Sequence, residues 1–361
     1  RELNVAQVNV QNIIGLQAGI GVTSPIFGLL AERYGRKRVM MGSLLMMSAA
    51  AGVGWLLPNI AVFIVMMLLF GVGKIIFDPA MGGYIGDRVP YHKRGMAFGV
   101  MELAWAGSLI IASLGVGWLL DVSTLKTVFG ALSAGLLISA GIVFFGTPAD
   151  HTPKTSSSSI QAINLKTGLR LVLGNRRARA CLGYSLLVAI ANEIIFINYG
   201  QFMESTFDLK LTALGLATTV IAAAEVSGEV LVIGAADRFG KRRLALIAAG
   251  VASVMYLILP MLTSSLPLAL IGLFVMFFAV ETSIVAAIPI YSEVLPEARS
   301  VMFSVTMGAG SIGRLIGSLI GGLLYGATGS FALLGIVSMT IGLISVGLFW
   351  RFIHEQPQSV L

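Results

Sequence analysis

Eight ionisable residues stand inside long apolar runs of this sequence: Lys74, Asp78, Glu102, Glu193, Glu225, Glu229, Glu281 and Arg314. A charge at the depth of hydrocarbon costs at least about 2.5 kcal/mol on insertion scales, so such residues face a bundle interior and mark ion, proton or substrate sites. Their spacing separates two kinds of chemistry. Lys74 and Asp78 are i, i+4 and can pair on one helix face. Glu225 and Glu229 share a face as like charges, and two such carboxylates do not both stay ionised cheaply in a low dielectric, which favours a proton site. Six acids against two bases leave a formal excess of −4, implying bound protons, a cationic substrate, or both. Neighbours extend the set. Trp105 lies i+3 from Glu102, and Asn192, Phe196 and Tyr199 follow helical spacing beside Glu193, an arrangement suited to an organic cation or a sugar. Packed ion pairs, Glu281 with Arg314 and Lys74 with Asp78, are the structural alternative.

The elements that hold these residues must be membrane helices. Of 361 residues 57% are hydrophobic and 11% charged, with a mean hydropathy of +0.91, whereas a soluble domain carries about 25% charged residues. A hydrocarbon core of about 30 Å takes about 20 apolar residues per helix. The apolar runs predict helices near 5–30, 39–57, 60–86, 95–120 and 127–146, then 179–203, 212–236, 243–262, 266–291, 300–325 and 330–351. That is an all-α membrane protein of eleven helices with no room for a soluble domain. At about 1.5 Å per residue, the eight ionisable residues lie about 10 to 21 Å from the basic helix ends, which is mid-bilayer depth.

The polar connector 147–178 divides the chain into bundles at 1–146 and 179–361. Within it Ile160, Ile163, Leu165, Leu169, Leu171, Val172 and Leu173 alternate with Lys166, Arg170, Arg176 and Arg177, a pattern that suits either a basic surface helix or a solvated linker. Of the 24 Lys and Arg, 19 fall on alternate connectors, the side of Arg33–Arg38. By the positive-inside rule that side, with the connector and the C-terminus, is cytoplasmic, in a multi-pass plasma-membrane protein. The net charge of +7 therefore reports topology and not nucleic-acid binding. A lone Cys181 excludes a disulfide framework. His92, His151 and His354 fall in polar connectors, so no buried metal cluster, cofactor or serine–histidine catalysis is expected.

Gly28-Leu-Leu-Ala-Glu32-Arg33-Tyr34-Gly35-Arg36-Lys37-Arg38 returns in weaker form as Asp237-Arg238-Phe239-Gly240-Lys241-Arg242-Arg243, displaced by 205 residues. At the same displacement Arg94 meets Arg299, Ser113 meets Ser318 and Gly117 meets Gly322, while Pro90 meets Pro296 at 206. A parallel duplication accounts for all of these. Residue 1 aligns with Thr206, so the helix at 179–203 has no first-half partner. The expectation is a six-plus-six protein whose first helix is absent from this chain, with an eleven-helix protein as the alternative.

The run Gly28 to Arg38 resembles the signature of the major facilitator superfamily, G-x-x-x-[D/E]-[R/K]-x-G-x-[R/K]-[R/K], and fits it at every fixed position. The resemblance implies two pseudo-symmetric six-helix bundles and a charge relay. Glu32, Arg33, Arg36 and Asp87 would latch the outward-open state, with Asp237, Arg238 and Glu293 as counterparts, while Gly28 and Gly35 permit close packing and a tight turn. Two departures stand out. Ile233 replaces the first signature glycine in the second half, which puts close packing there in doubt. Ser113 replaces the proline of the antiporter pattern over Leu109–Gly117, and Gly313, Gly317, Ser318, Gly321 and Gly322 repeat that pattern with serine, which weakens an antiporter assignment and suits close helix contact.

The expected function is secondary transport by a monomer. Its partners are a small molecule, protons and the lipid bilayer, and its first-choice activity is proton-coupled efflux of amphipathic or cationic compounds. Uptake symport of a sugar or metabolite and lipid flipping are the alternatives within transport. A non-transporting receptor or scaffold on the same fold is the rival from another class.

Overall fold

In hydrocarbon every backbone N–H and C=O must find its partner within the protein, and helices satisfy this locally. The computed structural model describes residues 20–148, 165–208 and 211–355, which are helical almost throughout. After a tight turn at Gly21–Thr23 come α1 (Ser24–Tyr34), α2 (Arg36–Leu56), α3 (Ile60–Arg88), α4 (Arg94–Val122) and α5 (Leu125–Gly146). Then follow α6 (Leu165–Gly174), α7 (Arg176–Phe196), α8 (Tyr199–Phe207), α9 (Leu211–Phe239), α10 (Lys241–Ile258), α11 (Leu266–Val294), α12 (Arg299–Thr328) and α13 (Phe331–Phe352). Among the described residues nine helical stretches are long and apolar enough to cross a bilayer, as befits a multi-pass integral membrane protein.

The boundaries differ from the expected ones for identifiable reasons. Starts expected at 39, 95, 243 and 300 move out to Arg36, Arg94, Lys241 and Arg299. Apolar runs exclude bases, but at a membrane edge a long basic side chain keeps its stem with the bundle while its charge reaches polar partners. The single helix expected at 179–203 breaks into α7 and α8. Asn198 at the break is buried and donates from Nδ2 to the Ile194 carbonyl at 2.9 Å, a side-chain bond that competes with the helical ladder. Of the first expected helix, residues 5–19 lie outside the described residues, and its described end reaches Tyr34. The connector does form a helix, α6, with Lys166 and Arg170 exposed and Val172 buried.

The Cα framework divides into two compact units. One comprises Arg1–Arg88, Ser108–Val172 and Leu295–Gly308, the other Val89–Gly107, Leu173–Val294 and Ala309–Leu361. In the first, α2 packs along α3 and α5 around Leu44, Met47, Ala51, Met66 and Phe129. Ser48 Oγ donates to the Ser133 carbonyl at 2.8 Å and Ser133 Oγ donates back to the Ser48 carbonyl at 3.0 Å, tying α2 to α5. In the second, α10 packs on α11 and α13, α9 on α11, and α7 on α13, around Ile194, Tyr256, Met276 and Leu334.

Lipid tails are as apolar as these side chains, so close van der Waals contact has to hold the helices together. Here α12 meets α7 along Gly313, Gly317 and Gly321. A Cβ at those positions would stand 2.5 Å from the Leu186 carbonyl oxygen, 2.7 Å from that of Ile190 and 3.0 Å from that of Ile194. The glycine pattern in this helix is therefore a contact surface.

Candidate functional site

Gly35 and Gly240 sit at φ 89° and 91°, which L side chains rarely adopt, so the turns from α1 to α2 and from α9 to α10 each require glycine. The first turn brings Glu32 beside Arg36. In the first unit Glu32 Oε1 accepts the Ser300 backbone N–H at 2.8 Å and Arg36 Nη2 at 3.4 Å. Ser300 is the second residue of α12. Its N–H has no acceptor inside the helix, and the helix dipole favours a carboxylate there. Arg36 is buried, donates to the Gly83 carbonyl at 2.9 Å and forms an ion pair with Asp87 near the end of α3. Asp87 is shared with Arg299, at 2.5 Å. Gly28, one turn before Glu32, permits the approach of α1 to α12: a Cβ there would collide with Ser304 and lie 2.9 Å from the Ser300 carbonyl oxygen.

The second unit repeats the arrangement. Asp237 accepts the Gly95 N–H at 3.0 Å and the Met96 N–H at 2.8 Å, both in the first turn of α4, while Lys241 Nζ approaches Asp237 to 2.7 Å. Arg94 pairs with Glu293, donates to Ser292 Oγ at 3.0 Å and donates to the Val89 carbonyl at 2.8 Å. Glu32 and Asp237, Arg36 and Lys241, and Arg94 and Arg299 are 205 residues apart, and Asp87 and Glu293 are 206 apart.

Close packing at Ile233 survives because the glycine stands on the opposite helix. A Cβ at Gly99 would meet Ile233 Cγ1 at 2.6 Å, and Gly99 is the repeat counterpart of Ser304. Arg33 and Arg238, expected in the latch beside Arg36, are exposed, and Arg33 lies 5.3 Å over the Tyr34 ring. The bases that pair with these acids are Arg36, Lys241, Arg94 and Arg299. The last three were not among the expected site residues, although the 205-residue displacement already pairs them.

Away from that end, the second unit gathers most of the mid-membrane acids. Glu281 on α11 has Glu225, Glu102 and Glu229 as electrostatic neighbours, with Arg314 of α12 opposing them. Arg314 also acts on Glu193 and Glu225. Among the described residues no direct ion pair joins Glu281 to Arg314. Glu229 is 1% exposed and its Oε2 has no hydrogen-bond partner among the described residues, nor has the buried Oδ1 of Asn192. Tyr199 shares a hydrogen bond with Thr218 Oγ1 at 2.9 Å, and its ring lies 5.7 Å from that of Phe196. Trp105 belongs to α4, and its side chain lies outside the described ones. Lys74 and Asp78 form their own i, i+4 ion pair at 2.5 Å within the first unit.

In the second unit a group of mid-membrane acids thus gathers about Glu281 and Arg314, and each unit carries a cluster of ion pairs at a helix N-terminus. Over residues 2–196 and again over 181–360, the sequence matches the family model described as Major Facilitator Superfamily. The chain belongs to the major facilitator superfamily. It is a transporter of that family and not an enzyme. It is 25% identical over 367 residues to the multi-drug resistance efflux pump PmrA homolog of Lactococcus lactis, covering 98% of this chain and 87% of the relative. To the multidrug resistance protein MdtG of Proteus mirabilis it is 24% identical over 310 residues, covering 83% and 74%. Its fold is similar to that of the transporter FucP in the outward conformation, at TM-score 0.82 and 14% identity over 99% of this chain and 92% of the other. It is also similar to the human organic anion transporter MFSD10, at TM-score 0.76 and 16% identity over 93% and 82%.

Proposed function

We propose that this transporter exports small amphipathic or cationic compounds in exchange for protons across the plasma membrane, with its basic side and C-terminus cytoplasmic. One observation carries the reading: in the second unit Glu225, Glu102 and Glu229 surround Glu281, and Arg314 is the cation that acts on Glu193, Glu225 and Glu281. Carboxylates gathered in low dielectric favour binding of protons or of a cation, and competition between the two at a shared site is the minimal chemistry of exchange. The names of similar proteins, multi-drug resistance efflux pumps among them, support the direction.

Transport then proceeds by alternating access between the two repeats. Glu32, Arg36, Asp87 and Arg299 form one cytoplasmic gate, and Asp237, Lys241, Arg94 and Glu293 the other. In each gate a carboxylate accepts backbone N–H groups from the first turn of the facing helix, bonds that water can replace when the helices part. Reconstituted vesicles test the coupling. An imposed pH gradient should drive substrate movement, and Glu229→Gln should lower gradient-driven transport about tenfold or more. A rate indifferent to the gradient ends the proton-exchange reading.

A further inference from the structure

We propose that Tyr91 and Glu355 are positioning residues of the transport cycle, with the segment Ile353–Glu355 strapping the start of α4 to the start of α10 while the second unit's gate is closed. The proposal rests on the gating reading above. Glu355 Oε1 accepts the Tyr91 hydroxyl at 3.2 Å and the Lys241 backbone N–H at 3.2 Å. That N–H is the first of α10 and has no acceptor within its own helix. Burial, and then the adjacent Glu355 carboxylate, push the Tyr91 phenol above its ordinary range, so the hydroxyl stays a donor. The Tyr91 ring lies 4.3 Å from Lys241 Nζ and 5.8 Å from the Arg94 guanidinium, the two bases that hold Asp237 and Glu293.

The strap is fixed to α10 from behind. Arg242 donates from Nε to the Ile353 carbonyl at 2.6 Å and from Nη2 to the Trp350 carbonyl at 2.7 Å, and Arg177 reaches the His354 carbonyl. The first repeat has the same rear attachment: Lys37 donates to the Phe144 and Thr147 carbonyls at 2.7 and 2.6 Å. The phenol of the front attachment is not repeated in the sequence, because the positions 205 and 206 residues after Tyr91 are Pro296 and Glu297. The phenol–carboxylate link from the C-terminal segment to the turn before α4 therefore has no sequence counterpart at the other gate. When α4 leaves α9, Tyr91 moves with Gly95 and Met96, whereas Glu355 stays with Arg242 on α10. The Tyr91–Glu355 bond exists only in the closed state and biases the equilibrium toward it.

Maleimide labelling of a single reporter cysteine in membrane vesicles tests this. Ala236 is fully buried and faces Gly95 across the gate, so Ala236→Cys in a Cys181→Ala background labels when the gate opens. Glu355→Ala and Tyr91→Phe should each raise the labelling rate about tenfold, as expected for loss of a hydrogen bond to a charged group. The double variant should label no faster than either single, because both remove the same interaction. Glu355→Asp should stay within about twofold of the parent. Labelling that stays slow in Glu355→Ala and Tyr91→Phe, whatever their melting temperatures, or effects that multiply, overturn the strap. Asp237→Asn separates the two readings: if it alone speeds labelling, the gate stands and the strap falls, and if no variant does, the gate falls as well.

Discussion

Asp87 is shared between Arg36 of α2 and Arg299 of α12, and its side chain is 41% exposed. Solvent can replace part of what it supplies to stability but none of its role in joining two helices. Asp87→Asn is therefore expected to cut transport about tenfold while thermal unfolding hardly moves, with Asp87→Glu recovering most of the rate. Glu229 is the opposite case, buried, with one oxygen unpartnered among the described residues and with Glu102 and Glu225 acting on it. A carboxylate in such a place costs stability, and the exchange proposed above gives it a use. Glu229→Gln should raise the melting temperature by about 2–4 °C as coupling is lost, and a lower melting temperature would speak against that assignment. Residue types and depth made Glu229 visible before any fold was known. They named both Arg33 and Arg36 without separating them; that Arg36 lies buried beside Asp87 while Arg33 is exposed depends on which side chain the Gly35 turn points inward.

At the scale of helices, contact is made by absence of side chain. Gly317 lies under the Ile190 carbonyl of α7, whereas nothing stands within 4 Å of where a Cβ would project from Gly326 in the same helix. Gly317→Leu should destabilise the protein by about 1–3 kcal/mol through overpacking, and Gly326→Leu should leave it unchanged. Detergent thermal melts of the pair check this, and equal losses would remove the contact argument. The same logic explains why Ile233 is tolerated where the first repeat has Gly28: Gly99 makes the room from the partner helix. A motif read along one helix registers a missing glycine. It does not register compensation on a helix more than a hundred residues away. The break between α7 and α8 was hidden for a related reason, because an apolar run looks continuous until Asn198 turns its amide back onto Ile194.

For the molecule as a whole, the alternation of basic connectors makes a topological prediction. In intact cells an impermeant maleimide should label Ser264→Cys, in the turn before α11, and spare Arg243→Cys, in the first turn of α10. Labelling of Arg243→Cys alone would invert the proposed orientation. The helical membrane class, the duplication at 205 residues and the turn glycine at 35 were determined by sequence alone, because the hydrocarbon demands apolar length, a duplication leaves a constant offset, and a tight turn leaves little choice but glycine. What only the tertiary structure decided is which elements meet. Periodicity places residues on a helix face, yet nothing local couples Glu32 to Ser300 or Tyr91 to Glu355, whose separations of 268 and 264 residues are bridged by the packing of helices alone.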